Sequence, residues 1–195
     1  MLICVIHTYD REDRYRLFIK EFAEQGVSDY HIIKGQIDRH YPVVGIAKSH
    51  KRCVQYAKDT NAPYVIILEN DVMFTHLGAF DRFKELSKQL PEDWKLFMGG
   101  VYDGKLEIIN NDLAKVSNFS GLHCYMVNSS FYNEFLGLRE NINLDKSISS
   151  PNFNNTSAYL AYPMIAMQYD TYSDNVKHLT SYNANLIKKF EVWKG

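Results

Sequence analysis

The beginning of the chain alternates between short apolar runs and segments whose apolar residues recur at helical spacing. Leu2 to Thr8 form an apolar run that predicts a first strand, and His31 to Lys34 predict a second. Between them the spacing predicts a helix over residues 11–25, which ends at Gly26. A second helix is predicted over Ala47 to Asp59, so the chain starts in the order strand, helix, strand, helix.

The segment PYVIILENDVMF, residues 63–74, has the clearest strand pattern. Its residues Tyr64 to Leu68 do not alternate with polar ones and are rich in β-branched side chains, which predicts a strand buried on both faces. Such strands are typical of mainly parallel sheets, whose ligands bind at the carboxyl ends of the strands. Glu69, Asn70 and Asp71 follow this strand directly, so they stand where such a sheet binds its ligand.

The rest of the chain continues in short elements. The predicted order is a helix over Leu77 to Leu90, a strand over Trp94 to Gly99, a hairpin over Tyr102 to Asn111 with the dipeptide Asp103-Gly104 at its turn, a strand over Cys124 to Asn128, a helix over Ser130 to Gly137, and a long surface loop over Asn141 to Ser157. This alternation predicts an α/β fold with a mainly parallel central sheet, flanking helices and a small antiparallel addition.

Composition favours a single domain over residues 1–195. Hydrophobic residues make up 46% of the chain, and the formal net charge of -1 predicts no nucleic-acid partner. No apolar run reaches the roughly 20 residues that cross a bilayer, and the N-terminus has a strand pattern instead of a signal-peptide pattern. We therefore expect a cytoplasmic protein without a transmembrane segment, and by default a monomer. The scattered residues Cys4, Cys53 and Cys124 are predicted to be reduced core thiols.

Several well-known catalytic motifs do not occur in the sequence. It contains no Walker A loop, no Gly-x-Gly-x-x-Gly after the first strand, no Gly-x-Ser-x-Gly and no histidine pair at zinc spacing. These absences argue against P-loop, dinucleotide-binding, α/β-hydrolase and zinc chemistry. The acidic segment after the third strand remains as the candidate site.

Glu69 and Asp71 are separated by one residue, so both carboxylates reach one divalent cation if the chain bends at Asn70. Hard oxygen ligands suit Mg²⁺ or Mn²⁺, which often carry substrate phosphates. The alternative is a strand that ends in an ordinary polar turn. The local pattern alone supports the metal site and the polar turn equally.

Four sequence blocks, in order, resemble the lipopolysaccharide glycosyltransferase family (family 25), whose members have the GT-A fold. They are VIHTYDREDR, VGIAKSHKRCVQYA, VIILENDVMF and SGLHCYMVNSSFYNEFL, and a weaker fifth block joins Leu144-Asp145 to YPMIAMQYDTYSDN. Gly45, Ser49 and His50 match the second block, whereas Asn70 replaces the middle acid of the family's Leu-Glu-Asp-Asp-Val motif. Small enzymes of this type also occur in large algal viruses, where they decorate capsid proteins, and the chain resembles those as well.

The resemblance covers nearly the whole chain and implies a nucleotide-sugar-binding fold of the GT-A type. The implied activity moves a sugar from a nucleotide-diphosphate donor, with a UDP-sugar expected, to a hydroxyl of a glycan or glycoprotein acceptor. A bound Mn²⁺ or Mg²⁺ would act on the leaving diphosphate. Asp71 is then expected to bind the metal, and Glu69 either to share it or to hold the ribose. Asn70 either hydrogen-bonds the sugar or ribose or serves as a turn residue.

Further donor contacts are expected at the ends of the first two strands and on the second helix. Thr8 is expected at the edge of the base, Tyr9 either stacks on the base or is a half-buried aromatic residue, and Asp38 meets the base or ribose. Lys48, Ser49 and His50 are expected to open a helix whose N-terminus favours anions, which would bring Lys48 to phosphate. His50 either contacts the donor or satisfies a buried hydrogen bond.

Three residues in the second half are candidates for catalysis or metal binding. Asp145 is the candidate base if the reaction inverts configuration, with a helix cap as the alternative. His123 either faces the sugar or is a structural hydrogen-bonding residue. His178 is the candidate third metal ligand, as in some GT-A enzymes.

Two other functional classes remain open. A metal-dependent phosphoesterase or nuclease also uses carboxylates on an α/β sheet, although it usually needs a second acidic or histidine cluster. A non-catalytic nucleotide-sugar or glycan-binding module would use some of the 14 tyrosines for stacking on sugars.

Overall fold

The computed structural model describes residues 1–149, 157–173, 178–180 and 190–195, with side chains described for all of these except residues 171–173 and 178–180. The elements of the first half, in order, are β1 (Leu2–His7), α1 (Glu12–Glu24), β2 (His31–Lys34), α2 (Pro42–Asp59), β3 (Tyr64–Glu69), β4 (Val72–Phe74) and α3 (Ala79–Ser87).

The elements of the second half are mostly strands. They are β5 (Leu96–Met98), β6 (Asp103–Ile108), β7 (Leu113–Ser120), β8 (Cys124–Asn128), a short 3-10 helix (Ser129–Phe131), α4 (Tyr132–Leu136), α5 (Leu144–Ile148), β9 (Ala158–Ala161), β10 (Ala166–Gln168), β11 (Thr171–Ser173) and β12 (His178–Thr180).

Eight strands form the central sheet in the order β2-β1-β3-β8-β5-β9-β7-β6. The pairs β1–β2, β1–β3 and β5–β9 are parallel, whereas β8 and β7 are antiparallel to both of their neighbours. Six of these eight strands therefore point in one direction, with β8 and β7 reversed. Two antiparallel ribbons, β4–β10 and β11–β12, stand outside the sheet. The predicted α/β fold with a mainly parallel sheet and a small antiparallel addition is confirmed.

The third strand lies at the centre of the core, as its apolar run predicts. Val65 to Leu68 are fully buried. Val65 and Ile67 belong to the apolar cluster that contains residues of α2, α4 and α5, while Ile66 and Leu68 belong to the cluster that contains residues of α1 and α3. Helices therefore cover both faces of β3, and the polar residues that follow it emerge at the edge of the sheet.

Helix α2 begins at Pro42, five residues before the predicted start at Ala47. Proline occupies the first helical turn, where its missing N–H and fixed φ angle are tolerated. The predicted start placed Tyr41-Pro42 and Gly45 before the helix and was wrong for Pro42 and Gly45. Gly45 lies inside the helix and is buried, because the chain after β2 passes close to it.

The hairpin of β6 and β7 turns at residues 109–112 and not at Asp103-Gly104. The Asn110 side chain makes the turn, since its Oδ1 accepts from the N–H groups of Asp112 (2.8 Å) and Leu113 (2.9 Å). Gly104 instead lies at an irregularity of the β6–β7 register. The predicted loop over residues 141–157 is also corrected in part, because it contains α5; residues 150–156 of that loop lie outside the described part.

All three cysteines are free and buried, which confirms the prediction of reduced core thiols. In the part of the chain that the structure describes, no helix combines the length and apolar character needed to cross a membrane.

Candidate functional site

A cavity of about 940 Å³ opens where β1, β2 and β3 end. Thr8 follows β1, Gly35 follows β2 and Glu69 ends β3, and all three line the cavity. The opposite wall contains Tyr102, Gly121 and Asp145. The cavity therefore has one side formed by the parallel strands and another formed by the β5–β6 connection, the β7–β8 connection and α5.

The carboxylates of Glu69 and Asp71 meet at the floor of this cavity. Glu69 Oε2 and Asp71 Oδ1 accept hydrogen bonds from one atom, Gln168 Nε2, at 2.7 and 2.8 Å. We call these two atoms the inner oxygens. The other two, the outer oxygens, are held from outside, since Glu69 Oε1 lies 3.2 Å from His50 Nε2 and Asp71 Oδ2 lies 2.8 Å from Arg14 Nη1.

Asn70 makes the bend that brings the two acids together. Its side chain is buried, and its Nδ2 donates to His7 Nδ1 at 2.8 Å, which ties the bend to the end of β1. Arg14 Nη1 donates to Asn70 Oδ1 at 3.4 Å. The residue therefore acts as an anchored turn residue, and its amide also lines the cavity.

The two carboxylates differ in their tendency to hold a proton. Burial raises the pKa of Asp71 to about 6, against the opposing effect of Arg14 and with a further rise from the charge of Glu69. Burial also acts to raise the pKa of Glu69, but the hydrogen bond from His50 and the charges of His50, His123 and Arg14 together lower it. Glu69 is thus the more persistent anion, and Asp71 carries a charge that its surroundings do not fully compensate.

His50 lies in the interior of α2, so the expected placement of Lys48, Ser49 and His50 at a helix N-terminus is wrong. The early start at Pro42 puts them in the second and third turns. Lys48 is exposed and is absent from the described residues that line the cavity. His50 faces the site, where its Nδ1 lies 2.7 Å from the hydroxyl of Tyr125 and its Nε2 reaches Glu69.

The chain after β2 forms a second wall of the cavity and is fixed by α2. Ser49 Oγ accepts from the N–H of Gln36 at 2.8 Å and donates to the carbonyl of Gly45 at 2.7 Å. A Cβ atom on Gly45 would lie 2.4 Å from the carbonyl oxygen of Gln36. Gly45 and Ser49 therefore allow this segment to approach α2 and hold it there.

Among the residues expected to contact the nucleoside, Thr8 and Asp38 line the cavity. Asp38 Oδ1 accepts from the N–H groups of His40 (3.0 Å) and Tyr41 (2.8 Å), so one of its oxygens shapes the approach to α2. Tyr9 is 66% exposed and is not among the described lining residues. Its ring packs against His7 and lies under the ammonium group of Lys34.

The candidates for catalysis are placed differently from one another. Asp145 lines the cavity, and its carboxylate accepts from the N–H groups of Gly121 (3.0 Å) and Lys146 (2.7 Å). His123 is fully buried, does not line the cavity and stacks on Tyr102. Its carbonyl accepts from the N–H of Glu69 at 2.9 Å, so His123 lies behind the cavity wall, near Glu69 but not among the described lining residues. His178 lies in β12, and its side chain lies outside the described part.

Three residues that the sequence did not single out complete the site: Arg14, Tyr125 and Gln168. Arg14 belongs to the first sequence block and Gln168 to the weak fifth block, so the blocks contained a signal for both. The sequence pattern places Tyr125 in the apolar strand β8 and so predicts only a core role for it. Its contact with His50 arises because β8 pairs with β3.

The donor set suits a hard divalent cation. The two inner oxygens converge on one group, the Gln168 amide, whose nitrogen faces them, and the Asn70 amide also lines the cavity. Within the described residues, no group of three histidine, cysteine or acidic side chains lies close enough to hold a metal ion. A cation here would therefore depend on two carboxylates completed by amide oxygens or by a ligand.

No protein-family model matches the chain, and no curated protein matches its sequence. Its fold, however, is found among solved structures. A197 from STIV shares 12% identity at a TM-score of 0.56, covering 92% of this chain and 93% of that one. A glycosyltransferase involved in the glycosylation of the major capsid of PBCV-1 shares 10% identity at a TM-score of 0.52, covering 91% and 97%.

A third similar structure is a mutant of Drosophila beta-1,4-galactosyltransferase 7 in complex with manganese, UDP-Gal and xylobiose. It shares 12% identity at a TM-score of 0.50, covering 100% of this chain and 75% of that one. Identities this low establish the fold and nothing finer. The chain therefore has a GT-A-like fold, the fold of these two glycosyltransferases.

Proposed function

We propose that this chain is a glycosyltransferase that moves a sugar from a nucleotide-diphosphate donor, with a UDP-sugar as the expected donor, to a hydroxyl of a glycan or glycoprotein. The observation that carries the proposal is the convergence of Glu69 and Asp71 on one position at the carboxyl end of β3, inside a cavity of about 940 Å³. A cavity of that size accommodates a nucleotide sugar.

The donor is proposed to lie along the parallel-strand side of the cavity. Thr8 and the segment after β2 would contact the nucleoside, with Pro42, Val43 and Ile46 as an apolar wall. The diphosphate would then lie near Glu69, Asp71 and Arg14. A Mn²⁺ or Mg²⁺ bound by the two carboxylates would supply charge neutralisation of the leaving diphosphate.

The acceptor is proposed to enter from the side of Tyr102, Gly121 and Asp145. Asp145 is held by two backbone N–H groups, which orient its carboxylate towards the cavity wall that it lines. If configuration is inverted, Asp145 is the group placed to take the proton from the acceptor hydroxyl. Asp145 is the second residue of α5, whose N-cap is Asn143, and only its bond from the Lys146 N–H supports the alternative of a helix-end role. The effect of its removal on turnover distinguishes the two roles.

The five sequence blocks support a closer relationship with family 25 and with the capsid-modifying enzymes of algal viruses. Gly45, Ser49 and His50, which match the second block, hold the segment after β2 and contact Glu69 in this structure. A glycoprotein acceptor is part of the same proposal. The shared fold of the PBCV-1 glycosyltransferase agrees with it.

The first test is binding. Mn²⁺ together with the correct UDP-sugar should raise the melting temperature by mass action, by an amount that increases with ligand concentration. Asp71→Ala should abolish that increase, whereas Asp81→Ala, which removes an exposed carboxylate on α3, should retain it. An unchanged melting temperature with every nucleotide diphosphate and metal tested would contradict the proposal.

The second test separates an enzyme from a binding module and from a phosphoesterase. Slow metal-dependent hydrolysis of one UDP-sugar in a panel, releasing free sugar and UDP, is expected of a transferase without its acceptor. Binding without hydrolysis would favour a binding module. Cleavage of simple phosphate esters would favour the phosphoesterase, although the described residues contain no cluster of three metal-binding side chains for it.

A further inference from the structure

Gln168 is the residue that the two inner oxygens share. It ends β10, whose antiparallel partner β4 follows Asp71 directly, and its register partner is Val72. Its side chain is buried, and its Nε2 lies 2.7 Å from Glu69 Oε2 and 2.8 Å from Asp71 Oδ1. A neutral amide thus faces both carboxylates, beside the position where a cation would bridge them.

The backbone around Gln168 is held firmly in this place. The N–H of Tyr169 donates to the carbonyl of Asp71 at 2.8 Å, and the Tyr169 hydroxyl donates to Glu21 Oε2 at 2.6 Å. Glu21 Oε1 also accepts from the N–H of Phe74 at 2.8 Å, so one buried acid on α1 fixes both strands of the ribbon. Gln168 can therefore change its amide orientation without moving its Cα away from the carboxylates.

The outer oxygens of the two carboxylates are bound by other residues, and the inner oxygens face Gln168. His50 and Arg14 hold the outer oxygens at 3.2 and 2.8 Å. Two carboxylates held in this way face a single N–H₂ group, which donates to both but carries no net charge. The oxygen of the same amide would become a third oxygen ligand after rotation about the Cγ–Cδ bond, a torsion with broad, roughly two-fold preferences.

We propose that Gln168 is the third protein group of the cation site, an alternative to His178. Without a cation its Nε2 bridges Glu69 and Asp71; with Mn²⁺ or Mg²⁺ its Oε1 joins the two inner oxygens as a ligand. This inference rests on the proposed function, because it assigns a further residue to the same site. With Gln168 as a ligand, a site that has two acids separated by an asparagine provides three oxygen donors, one each from Glu69, Asp71 and Gln168.

Two substitutions distinguish a ligand from a structural bridge. Gln168→Glu preserves the shape of the side chain and puts a third negative charge beside the pair. The cation-free protein should then be less stable, but Mn²⁺ should bind on the order of tenfold more tightly, because affinity rises with the number of charged ligands. Gln168→Leu removes both donor and acceptor, and Mn²⁺ binding should weaken on the order of tenfold.

The measurement is a titration of each variant with Mn²⁺, first without and then with UDP. Binding is monitored as the loss of the free Mn²⁺ signal in electron paramagnetic resonance. Gln55→Glu is the matched control, since Gln55 donates to Asp59 at 2.7 Å on the exposed face of α2 and should leave Mn²⁺ affinity unchanged. If Gln168 is a structural bridge only, both Gln168 variants lose stability and neither binds Mn²⁺ more tightly.

The possible outcomes separate this inference from the proposed function. If the unsubstituted protein binds Mn²⁺ and Gln168→Glu binds it no more tightly, the role of Gln168 as a ligand is overturned while the proposed function stands. If the unsubstituted protein binds no Mn²⁺ with or without UDP, the metal part of the proposed function fails together with this inference.

Discussion

At the scale of single residues, the site is a set of charges held by named neighbours. Each oxygen of Glu69 and Asp71 has a polar contact, with His50 and Arg14 on the outer oxygens and Gln168 on the inner ones. This arrangement keeps two acids close together although they repel each other. The elevated pKa of Asp71, caused first by its burial, shows that the compensation is incomplete.

The hydroxyl of Tyr125 is predicted to set the orientation of His50. By donating to Nδ1, the hydroxyl favours the arrangement in which Nε2 carries a proton and donates to Glu69. Tyr125→Phe should leave a buried ring nitrogen without this partner, at a cost of about 1–3 kcal/mol in the free energy of unfolding. Mn²⁺ affinity should fall as well, because Glu69 loses a fixed hydrogen-bond donor. Urea denaturation and Mn²⁺ titration measure the two effects.

Tyr132→Phe is the matched control for Tyr125. Its hydroxyl donates to the carbonyl of Ala62 at 3.1 Å, away from the site. This variant should lose stability and keep its Mn²⁺ affinity. Equal effects of the two substitutions on Mn²⁺ binding would show that Tyr125 has no positioning role.

At the scale of elements, the contact between α2 and the segment after β2 shapes the nucleoside side of the cavity. The segment contains Gly35 to Asp38, and its N–H group at Gln36 is held by Ser49 of α2. The close approach is possible because position 45 in the helix has no Cβ atom. A glycine that weakens an isolated helix is thus used for packing.

Gly45→Ala is predicted to displace this segment. The new Cβ would lie 2.4 Å from the Gln36 carbonyl oxygen and 2.9 Å from the Asp38 nitrogen, so backbone must shift. We expect a loss of roughly 1–3 kcal/mol in the free energy of unfolding, as for an overpacked core, together with weaker nucleotide binding. Urea denaturation and nucleotide titration test this.

Gly137→Ala serves as the control for Gly45→Ala. A Cβ atom there would meet its nearest neighbours at 3.5 Å, an ordinary van der Waals distance, and the φ angle of -78° suits alanine. Stability and nucleotide binding should both be retained. If Gly45→Ala behaved in the same way, close packing at position 45 would not be what shapes the segment.

At the scale of the whole molecule, the sheet order decides which distant residues meet. Because β1, β2 and β3 are adjacent and parallel, their carboxyl ends lie at one edge and present Thr8, Gly35 and Glu69 together. The β4–β10 ribbon then adds Gln168, and α5 adds Asp145 from the other side. Gathering acids in a buried cleft lowers stability, and a pH dependence should follow.

Asp71 is predicted to make the metal-free protein less stable as the pH rises from about 4 to about 6. Its folded pKa of about 6 exceeds its ordinary value of 3.8, so in this window the folded state retains a proton that the unfolded state has released. Asp71→Asn removes this effect. The free energy of unfolding of the variant, minus that of the unsubstituted protein, should therefore be larger at pH 7 than at pH 4.

Urea denaturation at the two pH values, with a chelator present, measures this difference. The lowered pKa of Glu69 gives a slope of opposite sign, but it does so in both proteins and largely cancels in the comparison. Asp81→Asn, on the exposed surface of α3, is the control and should show no such pH dependence. If the free energies of unfolding of Asp71→Asn and the unsubstituted protein differed by the same amount at both pH values, the prediction would be contradicted.

Much of the fold was predictable because it depends on local patterns. The apolar run at Tyr64 to Leu68 gave a strand buried on both faces, and β2 and β8 were predicted at their observed bounds. The errors arose where a residue type has two uses. Pro42 starts a helix as readily as it ends one, and Asp103-Gly104 lies at an irregularity of the β6–β7 register here although the same dipeptide often forms a turn.

The sequence by itself determined the α/β class, the central strand and the position of Glu69, Asn70 and Asp71 at its end, because hydrophobic periodicity and chain order are local properties. Only the tertiary structure decided which groups hold those acids. His50, Arg14 and Gln168 lie 19, 57 and 97 positions from their partners along the chain. Their contacts depend on helix packing and strand pairing, and no periodicity of the sequence encodes such distances.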